Sequence, residues 1–77
     1  MKLEEAKNLK HGQTIFYKRT HNADGTIRKP ITLEKWRVNG KVQTWKRSPE
    51  RIRVPLKNGL YNYNVLDEDN VGFFEIN

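Results

Sequence analysis

Cysteine is absent from this chain of 77 residues, and the only histidines are His11 and His21. Without cysteine, neither a disulfide framework nor a thiolate-bound metal site can stabilise the fold. Two histidines also fall short of the tetrahedral set of protein ligands that a structural zinc ion needs. We therefore expect no metal and no cofactor, and a fold that is held together by the packing of apolar side chains.

Long apolar runs are missing as well. Met1–Ala6 has no apolar region of the kind that a signal peptide needs, and no segment approaches the roughly 18 apolar residues of a membrane-spanning helix. We therefore expect a cytoplasmic location and no membrane partner. A chain of 77 residues is short enough to form a single domain with a thin margin of stability.

No set of residues typical of an active site stands out. The hydroxyl side chains are Ser48 and scattered threonines, none of them in the sequence context of a catalytic nucleophile. The acidic run Asp67-Glu68-Asp69 resembles the start of a calcium-binding loop, but Val71 stands where such a loop needs a side-chain oxygen. We interpret the run as a solvated acidic turn, and we predict that the protein is not an enzyme.

Short stretches rich in β-branched and aromatic residues alternate with turn residues along the chain. Residues 3–9 indicate one or two helical turns, because Glu4 and Glu5 suit the positive end of a helix dipole, and the acidic turn Asp67–Asn70 is the other place where one turn of 3₁₀ helix is allowed. Turns are predicted where Asn, Asp, Gly, Ser and Pro cluster, namely at Asn22–Gly25, Asn39-Gly40, Ser48–Glu50 and Asn58-Gly59. Pro30 is expected to keep residues 27–32 out of a central strand.

The segment Trp36–Trp45 carries the strongest hairpin signal, because Asn39-Gly40 lies between β-forming residues. A two-residue turn leaves both tryptophans on one face, mixed with charged side chains. A three-residue loop gives another set of pairs: Trp36 with Val42, Lys35 with Gln43, and Arg37 with Lys41. We favour this second register because burial of an apolar pair outweighs the repulsion between two exposed cations. It places Trp36 in the core and Trp45 on the outer face.

The clearest alternation of apolar and basic residues runs from Arg51 to Lys57. Ile52, Val54 and Leu56 are predicted to face the core, and Arg51, Arg53 and Lys57 the solvent. In the next strand, Tyr61, Tyr63 and Val65 are predicted to point inward. The main buried residues are then expected to be Ile15 or Phe16, Trp36, Val42, Ile52, Val54, Leu56, Tyr63 and Phe74.

The segment Leu9-Lys10-His11-Gly12, followed by a strand, resembles the entry to many small SH3-like barrels. The tight hairpins and the acidic turn before a final short strand are similar to that family too. The resemblance implies an all-β fold, with residues 1–77 forming one small five- to six-stranded antiparallel SH3-like barrel with at most a short N-terminal helix. The segments Trp36–Trp45 and Arg53–Tyr61 also look similar to small open reading frames of bacteria and phages. Neither resemblance carries over a ligand, because a fold does not fix a function.

Positive charge is concentrated in the middle of the chain. The net charge is +6, and residues 35–57 carry eight Lys and Arg against one acid, whereas residues 58–77 carry four acids and neither Lys nor Arg. A basic surface that includes an exposed aromatic is typical of nucleic-acid binding, with cations on phosphates and a ring stacked on a base. The candidate nucleic-acid-binding residues are Lys35, Arg37, Trp45, Arg51, Arg53 and Lys57.

We therefore predict a non-catalytic, basic binding module whose partner is a nucleic acid bound at this sheet face. The alternative is a protein-interaction or accessory module that docks on a larger protein, a role that small phage or prophage proteins also fill. The charge polarity supports both functions, because it steers any charged partner. Lysine and arginine that merely keep a small β domain soluble would give the same composition.

Overall fold

The computed structural model describes residues 1–21 and 24–76. The helices and strands of this part of the chain are α1 (Leu3–Lys7), β1 (Thr14–His21), β2 (Ile27–Val38), β3 (Gln43–Trp45), β4 (Ser48–Asn58), β5 (Asn62–Asp67), a 3₁₀ helix (Val71–Phe73) and β6 (Phe74–Glu75). The paired strands are all antiparallel. The predicted antiparallel β architecture with one short N-terminal helix is therefore confirmed. Of the predicted first turn, Asn22 and Ala23 lie outside the described residues.

The sheet has the strand order β3-β4-β2-β1-β6, and β5 pairs with β4 outside this order. β5 lies along one edge of β4 at residues 53–58, whereas β3 and β2 share the other edge, β3 at residues 48–53 and β2 at residues 56 and 57. Within the described residues, no pairing joins β6 to β3 or to β5. The sheet is therefore open and does not close into a barrel.

The sequence around α1 explains why a helix forms there and what it covers. The Lys2 backbone N–H donates to the Glu5 side chain at 2.9 Å, and Glu4 and Glu5 lie in the first turn, where the helix dipole favours negative charge. The helix buries Ala6, and Leu9 is buried just beyond its end. Both side chains join the core, so the short helix contributes to the apolar interior.

Both predicted registers of the Trp36–Trp45 hairpin are wrong. β2 is one continuous strand that pairs with β1 and, at its end, with β4 through Val38 and Leu56. The Asn39 backbone N–H donates to the Pro55 carbonyl at 2.8 Å, so the chain crosses over to β4 and does not fold back on β2. Both edges of β2 are already occupied at this end, and the local Asn39-Gly40 turn signal yields to this long-range pairing. Residues 27–32 form the first half of β2 and, in the described pairs, contact β1 alone.

The turn predicted at Ser48–Glu50 is also wrong, because these residues belong to β4. The chain reverses at Lys46-Arg47 instead, where Trp45 pairs with Ser48. The pairing of β3 with β4 also contains a register shift, between Thr44 and Trp45. Pro49 is tolerated in this part of β4 because it lies in the stretch that pairs with β3 alone in the described sheet.

The inward orientation predicted for Tyr61, Tyr63 and Val65 is wrong as well. Asn58 pairs with Asn62, so the turn between β4 and β5 contains three residues, and Leu56 lies opposite Asn64. In this register the even-numbered residues of β5 share the core side, and Leu66 is the one that is buried. Tyr63 is 64% exposed, and it lies on the outer face of the sheet.

The core lies between the sheet and the N-terminal segment, and its largest fully buried side chains come from every strand except β3. Of the predicted core, Ile15, Trp36, Ile52, Val54, Leu56 and Phe74 are buried. Val42 is partly buried against this cluster. The buried residues that the sequence pattern missed are Ala6, Leu9, Val38 and Leu66.

Val54 tests the placement of β4, because its side chain is fully buried in the middle of the strand. Val54→Ala leaves a cavity and is expected to lower the free energy of unfolding by about 1–3 kcal/mol, measured by urea denaturation. Val65→Ala removes the same methyl groups from the half-buried outer face and is expected to cost less than half as much. Equal unfolding midpoints for Val54→Ala and the parent would contradict this core.

Gly40 is required by both its backbone and its surroundings. Its φ angle is +136°, and an added Cβ would lie 3.0 Å from the Pro55 side chain. Gly40→Ala is therefore expected to destabilise the fold by about 1–3 kcal/mol, measured by thermal denaturation. Gly72→Ala is the control, since no atom lies within 4 Å of its added Cβ. A Gly40→Ala variant as stable as the Gly72→Ala variant would refute the close contact with Pro55.

Candidate functional site

The side of the sheet opposite the core, called the outer face here, carries a row of polar side chains across four strands. Arg37 of β2 pairs with Thr14 of β1 on one side and with Lys57 of β4 on the other, and Lys57 pairs with Tyr63 of β5. Neighbouring strands lie about 4.8 Å apart, so the row extends over roughly 14 Å. Because side chains alternate along each strand, Lys35 lies on the same face as Arg37.

A groove of about 400 Å³ opens at this row. Four side chains that can contact an anion line it: His11 before β1, Lys35 and Arg37 on β2, and Lys57 at the end of β4. These residues are called the cationic groove from here on. Asn58 and Gly59 form one of its borders, because the turn after β4 begins at this end of the sheet.

The cations of the groove are not neutralised within the described chain. Lys35 and Arg37 are exposed and Lys57 is half-buried. In the described residues, none of the three has a carboxylate oxygen within 4 Å. Their charges therefore point at solvent and attract anions.

The cations of β1 differ, because acidic side chains engage them. Lys18 forms an ion pair with Glu75 of β6, and the Arg19 guanidinium is hydrogen-bonded to Glu34 of β2. That hydrogen bond, reinforced by the negative charge of Glu34, raises the pKa of Arg19 above its usual value. The positive charge of Lys18 and Arg19 is thus balanced locally, in contrast to that of Lys35, Arg37 and Lys57 in the cationic groove.

Arg53 lies further along β4 on the outer face. It is exposed, and it pairs with Gln43 of β3 on one side and with Asp67 of β5 on the other. The Asp67 carboxylate accepts backbone N–H groups of Asp69 and Asn70 at 2.9 and 3.1 Å, which orders the acidic turn. Arg53 forms no ion pair with it within 4 Å in the described residues. Its cation is free, but it lies beside an acid.

Trp45 and Arg51 form a separate group at the far end of the outer face. The Arg51 guanidinium lies over the Trp45 ring, 4.5 Å from its centroid. The Nε atom of Arg51 is 3.9 Å from Glu68, which also accepts the Ile52 backbone N–H at 3.3 Å. This arrangement, called the Trp45 cluster here, surrounds a small cavity of about 110 Å³ that Asp67 also lines.

The predicted binding residues therefore divide into two groups. Lys35, Arg37 and Lys57 meet at the cationic groove, whereas Trp45, Arg51 and Arg53 line the cavity of the Trp45 cluster beside acids. Because Arg51 covers the Trp45 ring, the predicted stacking residue is already occupied within the chain.

The sequence pattern missed two residues of this surface, His11 and Tyr63. Tyr63 points outward beside Lys57, whose Nζ atom lies 5.7 Å from the centroid of the tyrosine ring. The length of the turn after Asn58 is the signal that could have found Tyr63, because a three-residue turn sets Tyr63 opposite Lys57. No sequence signal distinguishes His11, which reaches the groove from the loop before β1.

The described residues contain no group of three or more His, Cys, Asp or Glu side chains that could hold a metal ion. None of the helices in this part of the chain has the length and apolar composition needed to span a bilayer. No family model matches the chain, and searches of curated proteins and of solved structures likewise found no match. The geometry of the outer face is therefore the observation that bears on function.

The cover that Arg51 provides for Trp45 can be measured by acrylamide quenching of tryptophan fluorescence. Arg51→Ala uncovers the ring, so the quenching constant is expected to rise, whereas Trp36 is only 9% exposed and contributes little. In a Trp45→Phe background the same substitution is expected to change nothing. If the quenching constants of Arg51→Ala and the parent protein are equal, the guanidinium does not cover the ring in solution.

Proposed function

We propose that this protein is a non-catalytic nucleic-acid-binding module whose cationic groove contacts the phosphate backbone. The observation that carries the proposal is that Lys35, Arg37 and Lys57 meet at one groove, and no carboxylate within the described residues neutralises them. Unpaired cations on a surface concentrate anions and speed their association.

The chemistry of the groove suits phosphate groups. The Arg37 guanidinium offers a planar set of donors that matches two phosphate oxygens, and Lys35 and Lys57 each add a compact positive charge. The His11 imidazole adds a further polar group at the rim. Contacts of this kind bind the backbone of any sequence, so the groove itself supports affinity and not sequence recognition.

The two ends of the outer face differ in their acidic side chains. The groove end has unpaired cations, and the Trp45 cluster end has Asp67 and Glu68 beside Arg51. A polyanion is attracted to the first end, whereas Asp67 and Glu68 offset the charges of Arg51 and Arg53 at the second. We infer that the nucleic acid crosses the sheet along the Thr14–Tyr63 row and does not run the length of β4.

A protein-interaction module is the second candidate, and exposed apolar side chains on the β1–β2 pair favour it. Ile27 is 68% and Leu33 is 53% exposed, and both lie in the part of β2 that, in the described pairs, contacts β1 alone. Apolar side chains on a projecting strand pair can be covered by a partner protein. Leu33 lies two positions before Lys35 on the same face of β2, so this apolar surface borders the cationic groove.

We also propose that the sheet is a relative of the SH3-like barrel, in an open form. The support is the long β4, which contacts β3 and β2 on one edge and β5 on the other. A 3₁₀ turn leads into β6, which pairs with β1. The acidic turn before a last short strand that returns to the first strand is similar to that architecture.

Salt dependence tests the nucleic-acid function. The parent protein is titrated into fluorescein-labelled single- and double-stranded DNA and RNA at several salt concentrations, and fluorescence anisotropy gives the dissociation constant. Arg37→Gln and Lys57→Gln are each expected to weaken binding to all sequences alike. Each is expected to lower the slope of log K against log salt concentration by about 1, because one phosphate contact is lost.

Lys46→Gln is the matched control, since it removes the same charge from the exposed turn before β4. Ser48 and Lys57 are nine positions apart along β4, which corresponds to at most about 30 Å. The control is expected to reduce the slope by less than half as much. Failure of the parent protein to bind any of the four nucleic acids, or equal effects of Lys46→Gln and Arg37→Gln, would overturn the proposed site.

A further inference from the structure

We propose that the ligand of this surface is single-stranded nucleic acid, and that Tyr63 is the residue on which a base stacks while the cationic groove holds the adjacent phosphates. This inference rests on the proposed function and adds the class of substrate and a residue that determines specificity. It assigns to Tyr63 the role that the sequence pattern assigned to Trp45.

The position of Tyr63 in the sheet places its ring beside two cations of the groove. Tyr63 pairs with Lys57, and Lys57 pairs with Arg37, so the ring and two cations occupy one line across three neighbouring strands. Each step along this line is about 4.8 Å. A base on the ring and phosphates on the two cations therefore lie at neighbouring positions of one strand of nucleic acid.

The Tyr63 ring is accessible to a ligand. Tyr63 is 64% exposed, and among the described residues its hydroxyl group makes one weak hydrogen bond, of 3.4 Å, to the Leu60 carbonyl. Lys57 approaches the ring only to 5.7 Å, and no carboxylate of the described chain fixes its ammonium group. A contact this long is near the limit of a cation–π interaction, so a base can compete with it.

Trp45 is a weaker candidate for the same physical reasons. Arg51 lies closer to its ring, at 4.5 Å, and the Nε atom of Arg51 is also 3.9 Å from Glu68. The tryptophan is half-buried, and Asp67 and Glu68 repel a phosphate at this end. A base would have to displace Arg51 and approach two acids, which the Tyr63 site does not require.

The turn beside Tyr63 extends the apolar part of the surface. Leu60 and Tyr61 lie in the three-residue turn between β4 and β5, and Tyr61 is 88% exposed. The exposed ring of Tyr63, with the cationic groove beside it, presents partners for both parts of a nucleotide. Bases of a duplex are stacked on each other and paired, so only an unpaired strand can place a base face on Tyr63.

An acidic segment of a protein is the competing ligand, and the experiment separates it. It would use the cations of the groove but would gain nothing from an aromatic ring that recognises base faces. The probes are therefore a fluorescein-labelled 12-nucleotide oligothymidylate, an abasic oligomer with the same number of phosphates, a DNA duplex of equal length, and a poly-glutamate peptide.

Tyr63→Ala is expected to weaken binding of the oligothymidylate by about 5- to 150-fold, the loss expected for one stacked base. The same variant is expected to bind the abasic oligomer and the duplex within about twofold of the parent protein, because phosphate contacts remain. Tyr63→Phe keeps the ring and is expected to retain binding. Tyr63→Leu keeps an apolar side chain without a ring and is expected to behave like Tyr63→Ala, which separates stacking from folding. Thermal denaturation monitors the fold of each variant.

The possible results separate the stacking role of Tyr63 from the function of the groove. Selective loss of oligothymidylate binding in Tyr63→Ala and Tyr63→Leu, with retention in Tyr63→Phe, supports the inference. If the parent binds nucleic acid and Lys57→Gln weakens it, but Tyr63→Ala affects all probes equally or none, the stacking role is wrong and the groove function stands. If the parent binds poly-glutamate as tightly as every nucleic acid, or binds no nucleic acid, the proposed function and this inference both fail.

Discussion

The alternation of side chains along β4 is the constraint on which the rest of the structure depends. Ile52, Val54 and Leu56 point to one side and supply the centre of the core, so Arg53 and Lys57 must point to the other. β4 is also the strand that pairs with β2, β3 and β5, and every register in that part of the sheet is counted from it. One strand thus sets both the apolar interior and the charged exterior, and a shift of one residue would exchange them.

This dependence explains how much of the fold could be predicted from sequence. The burial pattern of β4 follows from local alternation, so it could be read directly, and the acids of the first helical turn identified α1. The partners of β2 could not be read this way. The Asn39-Gly40 signal describes only its neighbours in the chain, whereas the end of β2 pairs with Thr14 and Ile15 of β1, more than twenty residues earlier, and with β4. A turn propensity of a few residues cannot outweigh burial of Trp36 against Ile15.

The candidate site shows the same limit in its electrostatics. Alternation placed Arg53 and Lys57 on one face. The predicted hairpin register placed Lys35 and Arg37 there too, although its pairs were wrong, because both residues flank the buried Trp36. This parity argument uses only the position of each residue in its strand. It could not show which cations have acidic partners, since Glu68 reaches Arg51 from a distant part of the chain. The face of the sheet on which Tyr63 lies depends on the length of the turn between β4 and β5, because one residue more or less in that turn reverses the two faces of β5. Charge composition therefore identified the surface, and pairing geometry was needed to find where on the surface the charge is free.

β6 has a role beyond its length of two residues. It lies along the edge of β1, where Phe16 pairs with Glu75 and Tyr17 with Phe74, and the Phe74 side chain is completely buried. An uncovered strand edge is a template for pairing with another chain, and short terminal segments are the first to open by local unfolding. Detachment of β6 would expose the amides of β1 and open the core at the position of Phe74 in a single step. The shortest strand therefore protects one edge of the sheet against pairing with another chain. Through Phe16, which pairs with both Glu75 and Lys35, it also lies only two strands from the groove.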